Sequence, residues 1–344
     1  MANKLRTQFL FDGKFTRLFK SIYEQTSVKP LPKNIYAPFT LRPFLDTLYG
    51  AFNLQYILNT KIDDIPVYSF PSNNDVMVAY SGGKDSVACV LKLRDEGLNP
   101  HLFFMNGINK SYTQELETAK NTAEKLGCDI TVYDVTITGK KEYVEHPIKD
   151  QFILAVMVDE GLKRKIYRYA FGTGKGDYVS IVSNDYQLSD ALEMFTSVEK
   201  FYANYIDNFQ ILIPLEHETD SVCRIVSDKQ YSDLIFTSYS CMTPLRYREN
   251  IIKSNQRKYN ITLLPNNCGS CDKCCLINII LQKIGYVNYP YSFIKHCWEV
   301  LDSMEERQLQ SIRDKENSMD HRWIDNDTIK RYFPDSNAYE WGVA

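Results

Sequence analysis

Between residues 76 and 234 the apolar positions fall into two alternating spacings. Runs at 76–80, 101–105, 129–135, 167–171 and 209–215 are short and rich in β-branched or aromatic side chains, the length and composition of buried strands. Between them, residues 113–126, 148–162, 188–202 and 220–234 repeat apolar side chains at helical spacing. The residues after the first run do the same, at Val87, Val90, Leu91 and Leu93. Strands that alternate with helices predict an α/β fold: a mostly parallel five-stranded sheet, helices on both faces, and ligands at the carboxyl ends of the strands. Upstream, 45–58 reads as a helix and 65–70 as a short strand, so residues 1–75 form either an accessory subdomain or packing on one sheet edge. Downstream, 276–284 continues as an apolar helix, and 286–344 mixes Trp298, Trp323 and Trp341 with charge, as an ordered helical extension does.

The first strand runs into Ser81-Gly82-Gly83-Lys84-Asp85-Ser86 and then into a helix. Two glycines let backbone approach an anion, and the first helical turn offers N–H groups with no intrahelical acceptor. Ser81 and Ser86 add hydroxyl donors and Lys84 a positive charge. Asp85, at the start of that helix, suits a helix-capping carboxylate. Neither G-x-x-x-x-G-K-[ST] nor G-x-G-x-x-G is present, so this is a different phosphate loop.

Charge changes the picture only by exclusion. A net charge of −3 gives no support for a nucleic-acid coat or a polybasic anchor. No apolar run spans a bilayer and the N-terminus lacks a secretory pattern, so a cytoplasmic protein with no membrane partner is expected. The nine cysteines do not look like a disulfide scaffold, because they crowd at Cys268, Cys271, Cys274 and Cys275. The C-x-x-C-x-x-C spacing aims three thiols at one tetrahedral ion, Gly269 eases the turn, and Cys241 is the nearest upstream candidate for a fourth ligand. An iron–sulfur cluster or unligated thiols fit the same spacing. Cys89, Cys128, Cys223 and Cys297 sit on apolar faces and read as core.

The SGGKDS loop between strand and helix resembles the PP-loop of the ATP pyrophosphatases, which cleave ATP between its α and β phosphates. Together with C-G-x-C-x-x-C after the last strand, it resembles the 7-cyano-7-deazaguanine synthase (QueC) family over residues 76–281. Further matches are GTGKGD at 172–177, SDALEMFTSVEKFY, IPLEHETDSVCRIVSDKQY and TSYSCM. The resemblance implies a PP-loop (HUP-like) sheet with zinc on Cys241, Cys268, Cys271 and Cys274. It also implies ATP and magnesium held by Ser81, Gly82, Gly83, Lys84, Asp85 and Ser86, with Lys84 and Asp85 the catalytic pair. Lys149, Thr173, Lys175, Asp177 and Asp190 then face the substrate, a 7-deazaguanine carboxylate that is adenylated and passed to an amine.

Departures from the family are local. Lys149, in Pro147-Ile148-Lys149-Asp150-Gln151, takes the place of an arginine, and Asp190 lies in a changed loop where it serves equally as an N-cap. Twenty-six residues separate Cys241 from Cys268, a basic insertion carrying Arg246, Arg248, Lys253, Arg257 and Lys258 that reads as a solvated loop beside the site. The expected organisation is 1–75 accessory, 76–240 ATP-binding, 241–285 zinc module and 286–344 extension. An enlarged enzyme of this kind resembles QueC-like proteins of anti-phage CBASS operons, which implies a partner protein as the amine acceptor; a homodimer stays open. Free nitrile synthesis, tRNA thiolation through a cysteine persulfide and a nucleotide-binding subunit without activity are the other readings.

Overall fold

The computed structural model describes residues 4–7, 13, 15, 66–107, 115–138, 146–172, 199–215, 218–238, 241, 243, 245–263, 267–311 and 324–334, with backbone alone at 4–7, 136–138, 146–152, 245–246 and 304–311. Its strands are β1 (Lys4–Thr7), β2 (Asp75–Ala79), β3 (Asn99–Asn106), β4 (Ile130–Thr138), β5 (Arg168–Phe171) and β6 (Gln210–Leu212). They pair in the order β1-β4-β3-β2-β5-β6. Strands β2 to β6 are all parallel, and β1 adds an antiparallel edge on β4 in the register Lys4 to Thr138.

Both faces of the sheet are apolar, which is why each strand reads as a continuous hydrophobic run. On β2, Val76 and Val78 turn to one core while Met77 turns to the other. Leu102 and Phe104 divide from Phe103 and Met105 on β3 in the same way, as period-two side chains must. The first core packs α1 (Lys84–Asp95) and α2 (Glu115–Leu126), and behind them α4 (Glu218–Ser227), α5 (Leu234–Thr237), α7 (Asp272–Lys283) and α8 (Tyr291–Ser311). The second takes α3 (His146–Arg164) and an aromatic nest of Phe15, Phe201, Tyr202 and Tyr205. Phe15 tethers the N-terminal segment there: its ring lies 5.0 Å from that of Tyr202, and its N–H donates to Asp159 at 3.2 Å. Burying that one ring contributes about 2 kcal/mol.

Three expectations change. The helix over 220–234 stops at Ser227, where the Asp228 carboxylate accepts from the N–H of Gln230 and turns the chain before the short α5. The expected solvated loop between Cys241 and Cys268 is instead the helix α6 (Leu245–Tyr259). Its Arg248 is buried and donates to the Thr243 carbonyl at 2.7 Å, so that cation is not on the surface. The N-terminal segment supplies a sixth strand, too short to show a period of its own. The helix expected at 45–58 and most of that at 188–202 lie outside the described residues. Among the described residues, no helix is long and apolar enough to cross a membrane.

Strands β2, β3 and β4 progress to one side and β5 and β6 to the other, so the sheet reverses direction between β2 and β5. The carboxyl ends of these two strands mark the switch point, the place where open α/β sheets bind ligands, and the SGGKDS loop leaves β2 there.

Candidate functional site

The loop leaves β2 at Tyr80, whose hydroxyl is anchored on Thr122 of α2 at 2.7 Å. Gly82 has φ +73°, and a Cβ there would stand 2.7 Å from the Ala119 backbone, so only glycine fits the turn against α2. Ser81 Oγ accepts from the Gly83 N–H at 3.3 Å and lies 3.4 Å from Ser86 Oγ, closing the loop on itself. Gly83 is the N-cap of α1 and brings no capping side chain. The N–H groups of Lys84, Asp85 and Ser86 therefore face the loop with no intrahelical acceptor, at the positive end of the helix dipole. From the other side, Gly172 at the end of β5 is pressed on α1: a Cβ there would meet Ser86 Cα at 2.5 Å. The start of the GTGKGD segment thus abuts the loop.

Lys84 is fully buried, and its ammonium lies 2.6 Å from Asp85 and 3.7 Å from Glu218. Asp85 also accepts from the Ser221 hydroxyl at 2.6 Å, while its carboxylate stays partly exposed. Glu218 and Ser221 share the first turn of α4 one helical step apart, which aims both at the base of the loop. Sequence reading assigned neither a role. The acidic, serine-bearing helix start after the last strand was the available signal.

Behind α4 lies the cysteine module. The sulfurs of Cys241, Cys268, Cys271 and Cys274 all lie within 4.8 Å of one another. Gly269, at φ +65°, makes the turn, and Cys271 caps α7. Backbone N–H groups of Ser270 and Cys271 donate to the Cys268 sulfur at 3.4 and 3.3 Å, that of Cys268 donates to the Cys274 sulfur at 3.3 Å, and Thr243 Oγ1 donates to the Cys268 sulfur at 3.1 Å. Such donors stabilise thiolates. Hydrogen bonds from Cys268, then Cys271 and Cys274, hold the Cys241 thiol far below its usual range, whereas the same crowding, Cys241 foremost, pushes Cys274 up. Four sulfurs so placed form a donor set that suits a soft or borderline metal cation. Helix α6 buttresses the module: the Asn255 amide donates to the Cys268 carbonyl and to Ser270 Oγ, both at 2.7 Å.

The other described thiols are quiet. Burial raises Cys89 and Cys223 well above the ordinary thiol range, and raises Cys128 despite the Arg94 guanidinium beside it. Cys275 is raised by its hydrogen bond with Cys297 and by burial. Of the expected substrate-side residues, Lys149 lies on α3 without a described side chain; Thr173, Lys175, Asp177 and Asp190 lie outside the described residues.

Over 81 residues, 22% of this chain and 22% of the relative, the sequence is 35% identical to the tRNA-specific 2-thiouridylase MnmA of Treponema denticola. The match thus spans about a fifth of that protein's length. The parallel strand order and the place of the SGGKDS loop agree with the α/β fold expected from the sequence. Two solved structures are similar to this chain only loosely. The predicted subunit of a tRNA methyltransferase from Methanocaldococcus jannaschii is 26% identical, covers 42% of this chain and 69% of its own, and has a TM-score of 0.27. The NH3-dependent NAD synthetase of Campylobacter jejuni is 11% identical, covers 79% and 99%, and has a TM-score of 0.31. No family model matches the chain.

Proposed function

We propose that this chain is a PP-loop protein of the ATP pyrophosphatase superfamily, an ATP-dependent, AMP- and pyrophosphate-forming enzyme that activates a carboxylate and hands the acyl group to an amine. The observation that carries this is the loop itself: uncapped N–H groups of α1, two serine hydroxyls and a glycine turn gathered at the switch point between β2 and β5. A carboxylate is a poor acyl donor because oxide would have to leave. Its oxygen attacks the α phosphorus of ATP, the bond from that phosphorus to the α–β bridging oxygen breaks, and pyrophosphate departs into the loop. The amine nitrogen then attacks the acyl carbon, AMP leaves and the nitrogen loses a proton. Ser81, Gly82, Gly83 and Ser86 stabilise the charge that grows on pyrophosphate, where fixed donors outperform water. Asp85, held by Lys84 and Ser221, presents its exposed oxygen to the nucleotide, and magnesium bound there would neutralise phosphate charge.

The substrate reading rests on the resemblance to the QueC family: 7-carboxy-7-deazaguanine as the carboxylate, with zinc as the ion of the four-cysteine module. The acceptor is proposed to be a protein amine from the same anti-phage operon, and the chain is proposed to act in the cytoplasm. Intact mass spectrometry of co-expressed operon proteins, with ATP and 7-carboxy-7-deazaguanine added, should show a partner heavier by one deazaguanine acyl group. Free nitrile with no modified partner would return the chain to small-molecule synthesis.

The MnmA similarity favours tRNA thiolation as the second reading. That chemistry in a persulfide mechanism needs a reactive thiol, and burial or hydrogen bonding raises Cys89, Cys128, Cys223 and Cys275.

A further inference from the structure

A row of alternating charges runs from the cysteine module to the phosphate loop. Lys273 stands between the metal-site residues Cys271 and Cys274 in the first turn of α7. Its ammonium lies 3.2 Å from Glu218 of α4. The same Glu218 oxygen lies 3.7 Å from the Lys84 ammonium, and Lys84 is 2.6 Å from Asp85. Among the described residues, two lysines and two carboxylates thus alternate along this row, with the fully buried Lys84 near the centre. A buried ammonium demands its counter-charges, since removing one partner of such a pair typically costs several kcal/mol. Where Glu218 sits thus constrains where Lys84 and Asp85 sit, and Lys273 constrains Glu218.

We propose that Glu218 is a positioning residue of the phosphate loop and that, through Lys273, it couples nucleotide binding in the loop to metal occupancy of the cysteine module. This rests on the PP-loop reading above. The four thiols fit a metal ion, and an ion on Cys271 and Cys274 fixes the turn that carries Lys273. Glu218 is then held from one side by α7 and from the other by Lys84, so the loop meets its nucleotide with Asp85 already in place. Coupling between two sites is reciprocal. A nucleotide that orders Lys84 and Asp85 must in turn hold Lys273 against Glu218 and slow the loss of the metal.

The test uses the zinc-loaded full chain and reads zinc transfer to a chelating dye, with and without α,β-methylene ATP and magnesium. Nucleotide binding is measured separately by calorimetry. The wild-type chain should release zinc about 3- to 10-fold more slowly with nucleotide bound, within the usual range of coupling between sites. Lys273→Met removes the link from a partly exposed position and leaves the four sulfurs and the loop intact. This variant should still bind zinc and nucleotide, and its release rate should no longer respond to the nucleotide. A wild-type rate that ignores bound nucleotide overturns the coupling, as does full protection in the Lys273→Met variant. A wild-type chain that binds no nucleotide removes the PP-loop reading itself, and the coupling with it. Glu218→Asp, which keeps the charge on a shorter arm, should retain part of the protection, and Glu218→Gln none; equal protection in both would contradict a positional role for the charge.

Discussion

At the scale of residues, Asp85 is where the account is most exposed. It has one carboxylate between Lys84 and Ser221 and a partly open face toward the loop. Asp85→Asn keeps the shape and an acceptor but removes the charge. Pyrophosphate release should fall by about 100-fold or more, the scale on which single preorganised electrostatic contacts act. The circular-dichroism spectrum should stay that of the wild type, and unchanged turnover would take the loop out of the mechanism. The residues proposed to hold phosphate could be named from sequence because SGGKDS is contiguous and its chemistry is local. Glu218 and Ser221 could not, because their meaning lies in contacts with a loop far away in sequence. Their own neighbourhood reads as an ordinary helix start. Lys84 was legible as a cation but not as a buried one, since a single lysine at a helix start carries no burial signal. The cysteine set is the opposite case: spacing named three thiols, Cys241 was the nearest candidate, and the fold brings all four together.

At the scale of elements, the strands of the sheet were readable because both faces are buried and each strand is an unbroken apolar run. Helix ends were less so. Ser227 stops α4 through a side-chain contact at Asp228 that periodicity does not encode, and α6 was hidden because its apolar residues are few, Ile251 and Ile252 among them packing against the cysteine module. Helix α3 offers a test of packing. Glu160 is nearly enclosed and accepts from the Tyr133 hydroxyl at 2.7 Å, Arg164 at 2.9 Å and Lys163 at 3.1 Å. Burial alone would raise its pKa; the hydrogen bonds outweigh it and hold the group below its ordinary 4.5. A carboxylate lowered in the folded state stabilises the fold fully above the unfolded value and loses that contribution as pH falls through the folded one. Glu160→Gln should therefore lower the urea-unfolding free energy at pH 7 by about 1–3 kcal/mol. The gap from wild type should narrow steadily below pH 4.5. A gap that is the same at pH 7 and at the acid end would show that the charge is not what matters.

At the scale of the whole molecule, described residues near both ends of the chain pack on the parallel sheet and its helices. Residues 4–7 extend the sheet and Phe15 fills the second core. At the other end, α9 (Asn326–Tyr332) lies on α4, with the Tyr332 hydroxyl donating to Asp220 at 2.6 Å and the Asp325 N–H donating to Thr219 at 3.0 Å. Helix α4 is thus gripped by the C-terminal segment, the cysteine module and the loop at once. This is why the added segments, which composition left without a role, belong in any account of the site. The central claim is that this assembly splits ATP between the α and β phosphates to activate a carboxylate. The most direct test is exchange of labelled pyrophosphate into ATP, with and without 7-carboxy-7-deazaguanine, which needs no acceptor. The account predicts exchange that depends on the carboxylate and disappears in Asp85→Asn. ADP and phosphate as the products, or no exchange with the carboxylate present, would contradict it.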